Sequence, residues 1–256
     1  MIERLTSLKN PRVSAWRALK ERKARRESGC FLVEGRKMVE EALASRFTVE
    51  AVLVDERLAD TFRLPENTAF YSLPEHVLAA VCDTKTPQGI AAVVRMQPAP
   101  ASGARLVALD GVQDPGNVGP ILRTADAAGI DGVLLSNQCA DVFSPKVLRA
   151  TMGSIFRMPV TVTDDLPGVL QGLREQGWSI LSSQLDGEPF FQRQGVGNQF
   201  CLIIGNEGNG VSASVQAQAT HRLRLPMRGG AESLNAAVAA GIMMYDLMNE
   251  WEENHS

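Results

Sequence analysis

Arg105-Leu106-Val107-Ala108-Leu109-Asp110-Gly111-Val112-Gln113-Asp114-Pro115-Gly116-Asn117-Val118-Gly119-Pro120 is the stretch on which the fold turns. An apolar run, Arg105–Leu109, reads as a buried strand. Glycines and Asp-Pro follow, which permit a tight irregular loop. Val118–Ala128 then shows helical spacing, with Gly129 as its stop. Strand, polar loop and helix in that order predict a parallel α/β sheet with the loop at its C-terminal edge, where ligands bind in open sheets. Arg123, in the first turns of the helix, points toward the same edge.

The pattern continues downstream. Gly132–Leu135, Met158–Val162, Ser179–Ser182, Phe200–Ile204 and Arg222–Leu225 read as strands, and residues 144–151 and 166–176 as helices. The last helix, from about Glu232 to Glu250, is rich in alanine and methionine. So broad an apolar surface suits a helix buried on two sides, in a core or in a subunit interface.

Upstream, residues 11–28 read as one helix, with Asn10 as N-cap, Pro11 in its first turn and Gly29 as its stop. Short strands are expected at residues 30–33, 49–54, 69–72 and 90–95, with helices at 35–45 and 74–81. That alternation predicts a small α/β/α domain. The proline-containing run Gln97–Gly103 lacks apolar periodicity and reads as a linker. The expected domains are therefore 1–97 and 104–256, joined by residues 98–103.

Composition narrows the function. With 256 residues, 45% hydrophobic and 21% charged, the chain has the make-up of a globular protein. No run of about 18 apolar residues predicts a membrane span, and the N-terminus lacks a signal-peptide pattern, so a cytoplasmic location is expected. The four cysteines and three histidines show no metal-ligand spacing, and no metal is expected. The net charge is −3, yet residues 1–40 carry 11 basic and 5 acidic side chains, leaving −9 for the remainder. A basic face on an otherwise acidic chain is a phosphate-binding pattern, and Arg12, Arg22, Lys23, Arg25, Arg26 and Arg36 are its candidates. A solvated helix with internal ion pairs would look similar.

Two further strand-to-helix loops could carry chemistry. Gly205-Asn206-Glu207-Gly208-Asn209-Gly210 follows the apolar run Cys201–Ile204. It is neither a P-loop nor GxGxxG. Glu207 would repel a pyrophosphate but suits an adenosine-type ligand carrying a positive sulfonium. Leu225-Pro226-Met227-Arg228-Gly229-Gly230-Ala231-Glu232-Ser233-Leu234-Asn235 is the third loop, with Ser233 and Asn235 at the helix start as candidate caps or ligand contacts.

Taken together, N-x-G-x-x-x-R, G-N-E-G-x-G and P-M-x-G-x-x-x-S-L-N resemble the three motifs of the SpoU (TrmH-type) branch of the SPOUT RNA methyltransferases over residues 105–250. The N-terminal part, with Thr6–Pro11 and Phe31–Gly35, resembles a ribosomal-protein-like substrate-binding domain of that family. The resemblance implies a trefoil-knotted C-terminal domain, a homodimer, and methyl transfer from S-adenosyl-L-methionine to a ribose 2′-hydroxyl of RNA; the separate N-terminal domain favours 23S-type rRNA as the substrate, with tRNA as the alternative. It implies that Asn117, Arg123, Glu207, Ser233 and Asn235 line the catalytic site, and that Gly205, Leu225 and Leu234 hold the cofactor. The family assigns activation of the hydroxyl to Arg123. A guanidinium is effectively never deprotonated, so a better reading is that Arg123 grips the adjacent phosphate and stabilises a developing alkoxide. By analogy with oxyanion-hole donors that is worth ~3–4 kcal/mol. The proton would leave through phosphate, water or Glu207. Pro120 and the Ala236-Ala237 pair depart from the family pattern without removing a motif residue. A non-catalytic RNA-binding relative would have lost Asn117, Arg123 or Ser233, and a Rossmann dehydrogenase would need GxGxxG after its first strand.

Overall fold

The computed structural model describes residues 2–62, 68–97 and 99–253; Pro98 of the expected linker and His255 lie outside them. In chain order the elements are β1 (Ile2–Arg4), α1 (Pro11–Ala18), α2 (Arg22–Ser28), β2 (Cys30–Glu34), α3 (Arg36–Ala44), β3 (Val49–Asp55), β4 (Phe70–Leu73), α4 (Glu75–Val81) and β5 (Ile90–Arg95). There follow β6 (Arg105–Asp110), α5 (Pro115–Ala128), β7 (Gly132–Ser136), α6 (Pro145–Thr151), β8 (Val160–Thr163), α7 (Leu166–Glu175), β9 (Ser179–Pro189), β10 (Phe200–Gly205), α8 (Ala213–Gln216), β11 (His221–Arg224) and α9 (Ala236–Glu253). The chain divides into two compact units, residues 1–97 with 141–157, and residues 98–140 with 158–256.

The first unit is built on a mixed sheet in the order β1-β4-β3-β5-β2. Alternation along each strand sends side chains to opposite faces. Leu32, Ala51, Leu53, Ala91 and Val93 join the core formed with Val13, Trp16, Val77 and Leu78 of α1 and α4. Phe31 belongs to the other face, where its ring meets those of Phe47, Phe143 and Phe156. This aromatic packing explains why residues 141–157, expected with the C-terminal half, belong to the first unit: they supply apolar cover that the face carrying Phe31 needs.

The helix expected over residues 11–28 is two helices. Leu19 ends α1 and Glu21 is extended, with φ −90° and ψ 133°. The break frees the carbonyls of Leu19 and Lys20, and Arg25 Nη1 donates to both at 2.7 Å. The same guanidinium pairs with Asp141 at 2.6 Å and is only 3% exposed. Arg25 is therefore no part of a solvent-facing basic surface, contrary to the sequence expectation; its charge is consumed inside the unit. The strand β1, three exposed residues paired with β4, is too short and polar to show in the apolar pattern.

The second unit has a six-stranded sheet, β11-β9-β10-β6-β7-β8, in which every pairing is parallel. Both faces are covered, as an all-parallel sheet requires. On one, Leu106, Ala108, Cys201 and Ile203 pack with Leu166 and Leu170 of α7 and Val215 of α8. On the other, α9 packs against α5 and β10, burying Ala240, Met243, Met244, Leu247 and Met248. Arg193, its side chain 5% exposed, pairs with Asp246 and Glu250 and so anchors α9 to the segment after β9.

From β6 the chain steps outward through β7 to β8, then crosses to β9 and returns through β10 beside β6. The strand order reverses between β6 and β10, whose ends meet in register at Asp110 and Gly205. That reversal is the position where an open parallel sheet leaves a crevice for a ligand. Among the described residues no helix is long and apolar enough to cross a membrane.

Candidate active site

Three loops leave the C-terminal ends of β6, β10 and β11. The first is shaped by its own polar residues. Asp114 caps α5 by accepting from Gly116 N at 2.8 Å, and Pro115 occupies the first helical turn. Asp110, at the end of β6, accepts from Ser212 N at 2.7 Å and ties β6 to the chain beyond the second loop.

The second loop is closed by reciprocal backbone hydrogen bonds between Asn206 and Gly210, both 2.9 Å. A Cβ at position 205 would lie 2.3 Å from Gly210 C and Val211 N, so the turn can fold back on the strand end only if residue 205 is glycine. The Asn206 amide accepts from the N–H groups of Gly208 and Asn209 and donates to Gly111 O at 2.8 Å. The second loop is thereby fastened to the first.

Glu207 strengthens that joint. Its carboxylate accepts from Asn117 Nδ2 at 2.8 Å, Asp114 N at 3.1 Å and Gln113 N at 3.3 Å. Burial works to raise its pKa. The Asn117 amide and the backbone N–H groups of Glu207, Asp114 and Gln113 outweigh burial and hold it below the usual carboxylate range. A carboxylate so engaged is a weak base, which counts against Glu207 as the proton's exit.

The third loop is tied in at its far end. Helix α9 starts at Ala236, later than expected, because Asn235 is its cap: Oδ1 accepts from Ala237 N at 2.9 Å and Val238 N at 3.2 Å. Asn235 Nδ2 donates to Asn117 Oδ1 at 2.8 Å. One buried side chain, Asn117, 3% exposed, thus joins all three loops.

The structure brings together Asn117, Glu207 and Asn235. Arg123 is exposed on α5, two turns beyond Asn117, and Ser233 is exposed just before α9. Neither forms an ion pair or side-chain hydrogen bond among the described residues, so both are available to a substrate. Asp110, Asp114 and Asn206 carry geometry that the sequence reading did not single out. Their signal was their place beside glycine or proline, where side-chain caps and turns form.

The lining fits an S-adenosylmethionine-type ligand. From Leu225 to Leu234 the backbone makes no hydrogen bond to other backbone among the described residues, leaving its N–H and C=O groups for a neutral heterocycle. Leu225 and Met227 are half-buried and Leu234 is 38% exposed, which provides apolar contact. The loops carry Asp110, Asp114, Glu207 and Glu232 against Arg228, a negative balance compatible with a cationic sulfonium.

Of the basic residues expected to meet phosphate, Arg12, Arg22, Lys23, Arg26 and Arg36 are exposed. Arg12 pairs with Glu3 at 2.7 Å, Lys23 with Glu27 at 3.8 Å and Arg36 with Glu40 at 4.0 Å, all across exposed side chains. Such pairs are weak and can be exchanged for phosphate.

Comparison with known proteins agrees with this geometry. The profile of the SpoU rRNA methylase family matches residues 104–245, and that of the MRM3-like substrate binding domain matches residues 10–92. The 23S rRNA (guanosine(2553)-2′-O)-methyltransferase RlmP of Bacillus subtilis is 41% identical over 247 residues, covering 96% of this chain and 99% of that one. Among solved structures, an RNA methyltransferase of the TrmH family from Porphyromonas gingivalis superposes with a TM-score of 0.85 at 35% identity, covering 97% of this chain and 99% of that one. An AdoMet-bound rRNA methyltransferase from Sinorhizobium meliloti gives 0.83 at 30% identity, with 97% and 98% covered. The chain therefore belongs to the SpoU rRNA methylase family and is an S-adenosylmethionine-dependent RNA methyltransferase.

Proposed function

We propose that this enzyme methylates a ribose 2′-hydroxyl of 23S rRNA, and that the observation carrying this reading is the joining of the three loops on Asn117 at the β6–β10 crevice. The likeness to the Bacillus subtilis enzyme, which spans nearly the whole of both chains, supports rRNA over tRNA as the substrate. An rRNA substrate makes the cytoplasm the proposed compartment.

Bound at the crevice, S-adenosylmethionine supplies an electrophilic methyl group. Gly205, Leu225 and Leu234 hold the cofactor in this reading, the first by letting the loop close and the others by backbone and apolar contact. Arg123 grips the phosphate beside the target ribose and stabilises charge developing on the 2′-oxygen. Ser233 orients the acceptor. Asn117, Glu207 and Asn235 hold the loops so that nucleophile and methyl group meet in line.

The first unit is the proposed RNA grip, through Arg12, Arg22, Lys23, Arg26 and Arg36. The proposed homodimer uses the outer face of α9, where Val238, Ile242 and Tyr245 are 51%, 39% and 47% exposed at helical spacing. The trefoil knot belongs to the same reading. After edge strand β11 the chain returns to α5 near the middle of the sheet and is capped onto Asn117, a return path that a knot requires.

The test is transfer of radiolabelled methyl from S-adenosylmethionine to purified 23S rRNA and, separately, to bulk tRNA. Labelling of 23S rRNA alone is expected. Labelling of tRNA alone would reverse the substrate, and labelling of neither would remove the proposed target.

A further inference from the structure

The hydrogen bonds between α9 and Glu207 all run in one direction. The α9 N–H groups at Ala237 and Val238 donate to Asn235 Oδ1, Asn235 Nδ2 donates to Asn117 Oδ1, and Asn117 Nδ2 donates to Glu207 Oε1. An amide's orientation is set by its partners, and here both ends are unambiguous. Helix N–H groups can only donate, and an ionised carboxylate can only accept. With the ends given, neither Asn117 nor Asn235 can flip without placing like against like. Glu207 and Asn235 are exposed but Asn117 between them is buried, so a mismatch at its amide is not relieved by turning that amide to solvent.

We propose that Asn235, Asn117 and Glu207 form a directional relay of positioning residues, in which the carboxylate of Glu207 and the N-terminus of α9 jointly set the third loop against the first two. None of the three acts on the methyl group or the hydroxyl; all their polar atoms toward one another are engaged. The relay gives the S-adenosylmethionine pocket its shape, so the inference rests on the reading of the crevice as that pocket.

Such a relay predicts that its polarity can be reversed as a whole but not in part. Asn235→Asp keeps a cap as good as asparagine for α9, and on capping alone it would be neutral. In the relay it turns an acceptor toward Asn117 Oδ1. Glu207→Gln removes the charge and leaves one acceptor and one donor, so that either Asn117 Nδ2 with Asp114 N, or Gln113 N, now meets an N–H. The double variant moves the negative charge from position 207 to position 235. Asn117 then turns over, donating to the carboxylate now at position 235 and accepting from the amide now at position 207. The swap gives up the bond from Asp114 N to Glu207, so recovery is partial.

The experiment is calorimetric titration of S-adenosylhomocysteine into the wild-type protein, both single variants and the double variant, with thermal unfolding of each. Each single variant is expected to lose roughly tenfold in affinity, the cost of one mismatched, part-buried polar contact. The double variant is expected to bind more tightly than either single. If a single variant fails to fold, a higher melting temperature for the double than for that single is the same rescue. Losses that multiply in the double variant, or a neutral Asn235→Asp, would overturn the relay. Absence of binding by the wild type would instead overturn the reading of the pocket beneath it.

Discussion

Arg25 shows how far a single residue's role depends on what surrounds it. In the sequence it is one of six basic candidates between positions 12 and 36. In the fold it satisfies two carbonyls at the α1–α2 break and pairs with Asp141. Breaking a buried pair leaves an uncompensated charge, so Arg25→Ala is expected to destabilise the first unit by about 3 kcal/mol, read as a lower urea midpoint; an unchanged midpoint would show the pair to be idle. Glu207 makes a pH-dependent prediction. Its pKa is depressed below the ordinary 4.5 in the folded protein, so its contribution to stability is present above that value and is lost as pH falls through the lower folded value. The stability gap between wild type and Glu207→Gln should be constant near neutrality and close in strong acid. A gap unchanged down to acid pH would mean that the carboxylate is not held by its donors.

At the scale of elements, the second unit was the more legible half. Strands β6, β7 and β10 are apolar runs whose expected positions match within a residue, whereas β9 continues beyond the expected Ser182 to Pro189 through polar residues that pair with β11. What the pattern could not show was where elements go. The α6 segment reads as one more helix in the C-terminal half, and partners far away in sequence, the rings of Phe31 and Phe47 and the buried Arg25 guanidinium, hold residues 141–157 in the first unit. The split of residues 11–28 was hidden for a related reason: helical spacing persists through Leu19 and Lys20, and the Arg25 side chain that satisfies the break is itself held by Asp141, distant in sequence. The start of α9 shifted to Ala236 because Asn235, rather than an earlier residue, finds the N–H groups to cap. The breadth of apolar surface on α9 was visible in sequence, and the structure divides it into a buried face and an exposed stripe at Val238, Ile242 and Tyr245. If that stripe is the dimer contact, Ile242→Glu should yield a monomer in sedimentation velocity while the wild type sediments as a dimer. Identical sedimentation of the two would place the contact elsewhere.

For the whole molecule, the division of charge is the feature that links fold to function. The first 40 residues carry a net +6 in a chain whose total is −3, and five of the six basic candidates remain exposed after folding. Exposed cations that displace counterions from phosphate make binding salt-dependent. Arg22→Glu with Arg26→Glu should weaken RNA affinity and flatten its dependence on salt concentration, while leaving S-adenosylmethionine affinity unchanged. An unaltered RNA affinity would mean that these residues face only solvent. The three motif loops were legible as ligand-binding loops because their residue types are unusual for plain turns. Their union on Asn117 was not, since it joins positions 90 and 118 residues apart. The central claim is the chemistry at that union, and nucleoside mass spectrometry of 23S rRNA treated with the enzyme and S-adenosylmethionine tests it most directly. A methyl group on a ribose, formed by the wild type and reduced on the order of a hundredfold or more by Arg123→Lys, is the predicted result. A methyl group on a base, or undiminished ribose methylation by the Arg123→Lys variant, would contradict it.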